Sequence, residues 1–202
     1  DITQALSFNS THLSAYNLTI EPNTEFAKFI PANLPNDDLC YAMQDQIINQ
    51  LSAHGFQRYE TSAYAQKAHQ AQHNLNYWQF GDYLGIGAGA HSKLSFHDKI
   101  IRQSRHKHPQ EYMKRSLNQQ QILENTVIQK SDLSLEFMMN ALRLTNGFSN
   151  QLFSETTSLP FSQILPQLLS AQQQGFLELT PTKIIPTEQG RDFLNNLLEI
   201  FM

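Results

Sequence analysis

The sequence is poor in cysteine and has no long apolar run. Cys40 is the single cysteine among 202 residues. One thiol can form neither an internal disulfide nor a multi-cysteine metal site, so a reducing compartment is the simplest expectation. No run of 18 apolar residues occurs, and the opening residues DITQALSFNS lack the basic and apolar segments of a signal peptide. The sequence therefore predicts a cytoplasmic protein with no transmembrane segment.

The chain also lacks an excess of basic residues. Its 14 Lys and Arg are outnumbered by 18 Asp and Glu, which gives a net charge of -4. In residues 150–202 only Lys183 and Arg191 are fixed cations, against five acidic residues. Because a nucleic-acid surface normally needs clustered Lys and Arg, we expect no nucleic-acid partner, although a winged-helix nucleic-acid-binding module is kept as a distant alternative.

The first part of the chain has patterns typical of alternating strands and helices. The segment 12–20, HLSAYNLTI, and the segment 56–61, FQRYET, are rich in strand-forming residues. Between them, Asn36 or Asp37 can cap a helix whose apolar residues recur every four positions and which ends before Gly55. The order strand, helix, strand predicts a parallel βαβ unit.

The next segments predict a hairpin and then a boundary. DYLGIGAG (82–89) is typical of a short strand that ends in glycines, and KLSFHDKIIRQSR (93–105) alternates as a hairpin turning at Asp98 and Lys99. Residues 103–130 are polar and indicate a short helix followed by a linker. We therefore predict one domain over residues 1–117 and a second over 118–202.

The last third has patterns of helices around a small sheet. Ser131 can cap a helix that ends at Gly147, and a second helix over about 161–174 ends at Gly175. Two short strands follow around Pro181, and Thr187 can cap a closing helix. The apolar faces predicted for the first and last of these helices are Leu135, Met138, Met139 and Leu142, and Phe193, Leu194, Leu197, Leu198 and Phe201. This order predicts a winged-helix-like domain.

The glycines of residues 85–90 allow three interpretations. Gly85, Gly87 and Ala90 fit the relaxed dinucleotide fingerprint G-x-G-x-x-A, but that fingerprint needs a helix to begin at the glycines, and the residues that follow have no helical face. The glycines can instead allow two elements to pack closely. In the third interpretation, a flat ligand lies against a backbone that carries no large side chains.

His73 precedes Tyr77 by four residues and Trp78 by five, in a segment that can form one or two helical turns. On a helix this spacing places His73 and Tyr77 on one face. Neutral imidazole ligates porphyrin iron, and aromatic walls suit a planar macrocycle. The alternative is a structural histidine that is hydrogen-bonded beside its aromatic neighbours.

Four blocks, in this order, resemble the HemW family of radical S-adenosylmethionine (SAM) proteins: HLSAYNLTIEPNTEF, GFQRYETSAYA, HNLNYW and GDYLGIGAGAHS. Members of this family are relatives of oxygen-independent coproporphyrinogen III oxidase and are regarded as heme chaperones. The resemblance extends to the final residues TEQGRDFLNNLLEIF. It implies an α/β (α+β) chain in which residues 1–117 are the C-terminal part of a partial (β/α) radical SAM barrel and residues 118–202 are a mostly helical winged-helix-like domain.

The family's motif Cys-x-x-x-Cys-x-x-Cys, which holds a [4Fe-4S] cluster, is not present in this chain. The resemblance therefore implies a C-terminal fragment that cannot ligate the cluster and is inactive as an enzyme by itself. The residues EP of LTIEP and the HNxxYW block favour a heme chaperone over the alternative, a coproporphyrinogen III oxidase of porphyrin biosynthesis.

The resemblance also implies site residues, cofactors and partners. The HNxxYW motif is associated with heme, which here means His73 as the axial ligand of the heme iron together with Asn74, Tyr77 and Trp78. Residues at the barrel's strand ends would face SAM, namely Leu18, Thr19, Gly87, Ala90 and His91. In the full-length family the cofactors are heme, SAM and the [4Fe-4S] cluster, and the recipients of heme are membrane-bound respiratory heme proteins.

Overall fold

The computed structural model describes residues 1–202, which form two compact units, Asp1–Ala71 and Gln72–Met202. We call these the first unit and the second unit. None of the helices combines the length and the apolar composition that crossing a membrane requires.

The first unit contains three helices and one small sheet. In chain order its elements are α1 (Ile2–Ser7), β1 (His12–Ser14), α2 (Glu25–Lys28), α3 (Asp37–Ala53), β2 (Gln57–Glu60) and β3 (Ala63–Ala65). The sheet has the order β1-β3-β2, and both pairs are antiparallel.

The predicted parallel βαβ unit is wrong. Strands β1 and β2 run in the same direction, but β3 lies between them and pairs antiparallel with each. The turn that returns β3 alongside β2 is closed by a side chain, since the Ser62 backbone N–H donates to Glu60 Oε1 at 3.0 Å. Strand β1 also ends at Ser14, so Leu18 and Thr19 lie outside any strand.

Helix α3 confirms the prediction made from its caps. The Leu39 N–H donates to the Asn36 side-chain oxygen at 2.9 Å, and Gly55 follows the helix with a φ of +80°. The helix buries only its C-terminal end: Leu51 is fully buried with Phe56 and Tyr64 in a small core cluster. The predicted apolar face is therefore buried in part.

The second unit contains most of the helices and strands and has two three-stranded sheets. Its elements are α4 (Gln72–Trp78), β4 (His91–Ser95), β5 (Ile100–Arg105), α5 (Pro109–Ser116), β6 (Ile122–Val127), α6 (Leu133–Ala141), β7 (Phe148–Ser149), α7 (Asn150–Thr157), a 3-10 turn (Phe161–Gln163), α8 (Leu165–Gln173), β8 (Leu177–Leu179), β9 (Lys183–Pro186), α9 (Glu188–Asp192) and α10 (Leu194–Glu199). The sheets have the orders β4-β5-β6 and β7-β9-β8, with antiparallel neighbours throughout.

The predicted hairpin is confirmed, and the predicted linker is partly wrong. The Phe96 N–H donates to the Lys99 carbonyl at 2.8 Å and closes the β4–β5 turn. Residues 122–127, predicted as linker, form β6 and pair with β5. Every residue of β6 is exposed, so no apolar alternation marks it as a strand.

The structure divides the chain between residues 71 and 72, whereas we predicted a boundary between residues 117 and 118. The pairing of β6 with β5 gives a physical reason, because it joins the residues before 118 to those after. The assignment of residues 1–117 to a barrel stays a prediction.

The C-terminal part of the second unit has the helices and the two-stranded wing predicted for it. Thr187 caps the closing helical segment, since its hydroxyl accepts the Gly190 N–H at 3.0 Å. Helix α6 begins after Asp132, and the Ser131 hydroxyl instead donates to the Asp132 carboxylate. Two predicted core positions, Met139 and Phe193, are exposed, because α6 buries Phe137 and Met138 and the closing helix breaks at Phe193.

Candidate functional site

His73 lies on the exposed side of the short helix α4, as does part of the Tyr77 ring. The helix itself confirms the local structure predicted from HNLNYWQF. The Tyr77 ring packs edge-on against Tyr83, with 4.5 Å between the ring centroids. His73 is therefore accessible to a ligand, and its neighbour Tyr77 is fixed by a second aromatic ring.

Trp78 is half-buried and is held on one side by a cation. The Arg143 guanidinium carbon lies 4.3 Å from the centroid of the Trp78 ring, an arrangement typical of a cation–π contact. The indole Nε1–H is buried and has no hydrogen-bond partner. Trp78 thus serves as a packed support of α4, and its indole N–H is an unused donor.

A buried lysine fixes the turn that follows α4. Lys93 on β4 is 2% exposed, and its Nζ donates to the Phe80 carbonyl at 2.9 Å, to Asp82 Oδ1 at 3.1 Å and to the Ser95 hydroxyl at 3.2 Å. The Asp82 carboxylate also accepts the Ser95 N–H. The three donors of the ammonium group are therefore all used.

The electrostatics of this cluster follow from burial and pairing. Burial lowers the pKa of Lys93, and Asp82 only partly opposes that effect. Burial alone would raise the pKa of Asp82, but hydrogen bonds from Ser95 and Lys93 outweigh it and lower the pKa below its ordinary value. Lys93 and Asp82 thus form an ion pair that ties residues 80–82 to β4.

The glycine segment, residues 85–90, runs beside β4. Gly85 is required there, because a Cβ atom would lie 2.0 Å from the His91 carbonyl oxygen. The Gly85 N–H donates to the Ser92 hydroxyl at 3.0 Å, and the Gly87 N–H donates to the Tyr112 hydroxyl at 3.2 Å. Close packing is therefore supported as one role of the glycines. The chain continues from them into strand β4, so the dinucleotide interpretation lacks the helix it needs.

The residues predicted to face SAM lie in both units. In the second unit, Gly87 has a φ of +108°, Ala90 is half-buried and its carbonyl accepts the Arg105 N–H, and His91 begins β4 with an exposed side chain. In the first unit, Leu18 is exposed, and Thr19 lines a cavity of about 280 Å³ together with polar side chains such as Asn17, Gln44 and Thr61.

No other side chains replace the cysteines that bind the iron–sulfur cluster in the family. It contains no group of three or more His, Cys, Asp or Glu side chains placed to hold a metal ion. Cys40 is half-buried on α3. The residues present therefore do not fit a [4Fe-4S] cluster, whereas the accessible imidazole of His73 fits a single axial bond to heme iron.

Sequence reasoning missed the residues that support α4 from the rest of the second unit. These are Asp82, Tyr83, Lys93 and Arg143. One signal was present for Lys93, which interrupts the alternating strand HSKLS with a charge at a position that faces inward. The others act through contacts between distant residues, which no local pattern shows.

Comparisons with known proteins agree with this architecture. Residues 128–193 match the HemN C-terminal domain. Over the whole chain, 45% of residues are identical to the heme chaperone HemW of Escherichia coli K12 and 43% to that of Haemophilus influenzae. The chain spans about half of each relative's length, 52% in both cases.

A solved structure shows the same fold. It is the coproporphyrinogen III oxidase HemN of Escherichia coli, a radical SAM enzyme, which superposes with a TM-score of 0.73 over 99% of this chain and 50% of its own, at 17% identity. The chain therefore shares the fold of the half of that enzyme that it matches. Over its entire length the chain is similar to one half of the heme chaperone HemW, which confirms the resemblance seen in the four sequence blocks.

Proposed function

We propose that this chain forms part of the heme site of a HemW-type heme chaperone, with His73 as the ligand of the heme iron. The observation that carries the proposal is the exposed imidazole of His73 on a helix whose following turn is fixed by Lys93. The name of the relatives, heme chaperone HemW, supports heme as the cargo.

Exposed apolar side chains on α4 and in the segment that follows it suit a flat, largely apolar ligand. Tyr77 is 36% exposed on the same helix, and two large apolar side chains of the following segment, Leu84 and Ile86, are 62% and 81% exposed. Where such groups form a contiguous exposed patch, they mark a binding surface. Asn74 and Trp78 complete the motif, Asn74 on the helix and Trp78 as its packed support.

In this proposal the chain binds and orients the cargo. His73 supplies one axial nitrogen, Tyr77 and its partner Tyr83 supply an aromatic contact, and the Lys93–Asp82 pair keeps the turn after α4 in place. SAM and the iron–sulfur cluster belong to the full-length radical SAM proteins, in which Leu18, Thr19, Gly87, Ala90 and His91 would face SAM. The transfer of heme to membrane-bound respiratory proteins is the corresponding activity of the whole chaperone.

Titration of heme into the chain tests the proposal. We expect wild type to bind heme with a shifted Soret band, and His73→Ala to bind at least about tenfold more weakly with a different band position, since the iron loses an axial nitrogen. The matched control is His97→Ala, because His97 is also exposed but lies on the β4–β5 turn. An unchanged spectrum and affinity in His73→Ala would exclude His73 as the ligand.

A further inference from the structure

Arg105, the last residue of β5, is a buried cation without a partner. The residue is 7% exposed, and its Nη1 is buried and has no hydrogen-bond partner. Arg105 takes part in none of the ion pairs of the chain. Because a guanidinium does not lose its proton in proteins, the charge persists in this buried position.

Two other arginines of the same region have a carboxylate partner, which Arg105 lacks. Arg102, three residues earlier, pairs with Glu136, and Arg115 on α5 pairs with Glu111. Buried charges in proteins are normally paired, and an unpaired one lowers stability. The Nη1–H donors of Arg105 have no acceptor within the chain and are therefore free to bind a group outside it.

Arg105 lies directly beside the glycine segment. Its backbone N–H donates to the Ala90 carbonyl at 2.9 Å, and on its other side it pairs with Ile122 of β6. The neighbouring residue Gln121 has a buried side-chain oxygen that also lacks a partner. A second unsatisfied polar group is thus next in sequence to Ile122, the residue that pairs with Arg105.

The residues around Arg105 create a local excess of positive charge in a chain whose net charge is -4. Between residues 102 and 115 there are five Lys and Arg and one acidic residue, Glu111, which is already paired. The neighbouring strand adds one further acid, Glu124, which lies opposite Ser104 and accepts its hydroxyl at 3.2 Å. Lys107 and Lys114 form no ion pair. This part of the molecule attracts anions.

We propose that Arg105 anchors a carboxylate-binding site beside the glycine segment. The planar guanidinium offers parallel N–H donors that match a carboxylate, and the neighbouring cations raise the local concentration of anions. The inference rests on the proposed function for the identity of the ligand: the carboxylate comes either from a propionate of heme or from the amino-acid end of SAM.

The site is tested first without either ligand. Inorganic phosphate, compared with chloride at equal ionic strength, is expected to raise the melting temperature of wild type and to raise that of Arg105→Gln less, because an anion that binds only the folded state stabilises it. Arg115→Gln, which removes an already paired cation of the same region, should respond to phosphate like wild type. An equal response in wild type and Arg105→Gln would overturn the site.

The unliganded stability of Arg105→Met gives a second, independent test. If the buried charge has no partner in the chain, its replacement by an apolar, unbranched side chain that retains the packing of the aliphatic stem should leave the melting temperature unchanged or raise it. A lower melting temperature for Arg105→Met would show that Arg105 already has a structural partner, and the proposal would be wrong.

Three ligands then separate the two sources of the carboxylate. For a propionate, Arg105→Gln binds heme at least about tenfold more weakly than wild type but binds heme dimethyl ester equally well, a loss typical of a charge-assisted hydrogen bond. For the amino-acid end of SAM, Arg105→Gln weakens SAM binding and leaves heme unaffected. If wild type binds neither ligand, the proposed function is wrong. The phosphate and stability measurements then still show whether Arg105 forms an anion-binding site.

Discussion

The two compact units differ in how much apolar side chain each of them buries. The second unit holds one continuous core cluster of 18 buried residues, centred on the aromatic side chain of Phe137. The first unit holds a cluster of three, Leu51, Phe56 and Tyr64. Since burial of apolar surface is the main favourable term in folding, the two units should differ in local stability.

Individual side chains illustrate the difference in core size. In the first unit the large apolar residues Phe26, Phe29, Ile30, Leu39 and Tyr41 are all at least half exposed. In the second unit, the aromatic rings of Phe80, Phe148 and Phe153 surround Phe137 with centroid distances of 4.9 to 5.7 Å. The region that carries His73 and Arg105 therefore belongs to the better packed unit.

The largest expected effect is that of Phe137→Ala. The side chain is fully buried and contacts three other aromatic rings, so its removal should cost about 3–5 kcal/mol of the free energy of unfolding. Chemical denaturation followed by aromatic fluorescence measures the loss. A cost below about 1 kcal/mol, the scale of an exposed substitution, would contradict the central place of Phe137 in the core.

Leu51→Ala makes the matching change in the first unit. Leu51 is also fully buried, so a cost of about 2–5 kcal/mol is expected. Because its cluster has only two other buried residues, hydrogen exchange should accelerate in residues 1–71 and stay unchanged in residues 72–202. Equal acceleration in both units would show that they unfold together, and the comparison between them would fail.

Asp82→Asn tests the ion pair that supports α4. The variant leaves the buried Lys93 without its carboxylate, whereas Lys93→Met removes the buried charge itself, so Asp82→Asn should be the more destabilising of the two. We expect a loss of about 1–3 kcal/mol for Asp82→Asn. The free energies of unfolding of both variants and of the double variant provide the comparison. Equal losses in the two single variants would contradict this role of the charge.

The smallest expected effect is on the stability of the fold at acid pH. The folded-state pKa of Asp82 is below the ordinary value of 3.8, so the folded protein binds fewer protons than the unfolded chain in the interval between the two values. The stability that Asp82 contributes is present above pH 3.8 and is lost as the pH falls through the lowered pKa. Denaturation at several pH values should show this slope in wild type and a shallower one in Asp82→Asn. Identical slopes would contradict the lowered pKa.

Several local features could be predicted from the sequence because they depend on neighbours along the chain. The caps at Asn36 and Thr187 are of this kind, as are the left-handed glycines Gly55 and Gly175 and the hairpin turn at Asp98 and Lys99. Each depends on residues within four positions of one another. The short helix with His73 and Tyr77 was predicted for the same reason.

Pairing between distant residues could not be predicted in this way. Strand β3 is three residues long and is buried on both sides, so it has no alternation to reveal it, yet it separates β1 from β2. Strand β6 is exposed along its whole length, and its polar sequence predicts a linker. The partners of Lys93 and Arg102 lie 11 and 34 residues away.

The sequence by itself determined the local elements, the single cysteine and the relationship to HemW, because these depend on residue types and on short-range order. The tertiary structure alone decided which strands are neighbours, that Lys93 is buried against Asp82, and that Arg105 is buried without a partner. The physical reason is that burial and charge pairing arise only when distant segments pack, and packing selects one arrangement among many that the same local patterns allow.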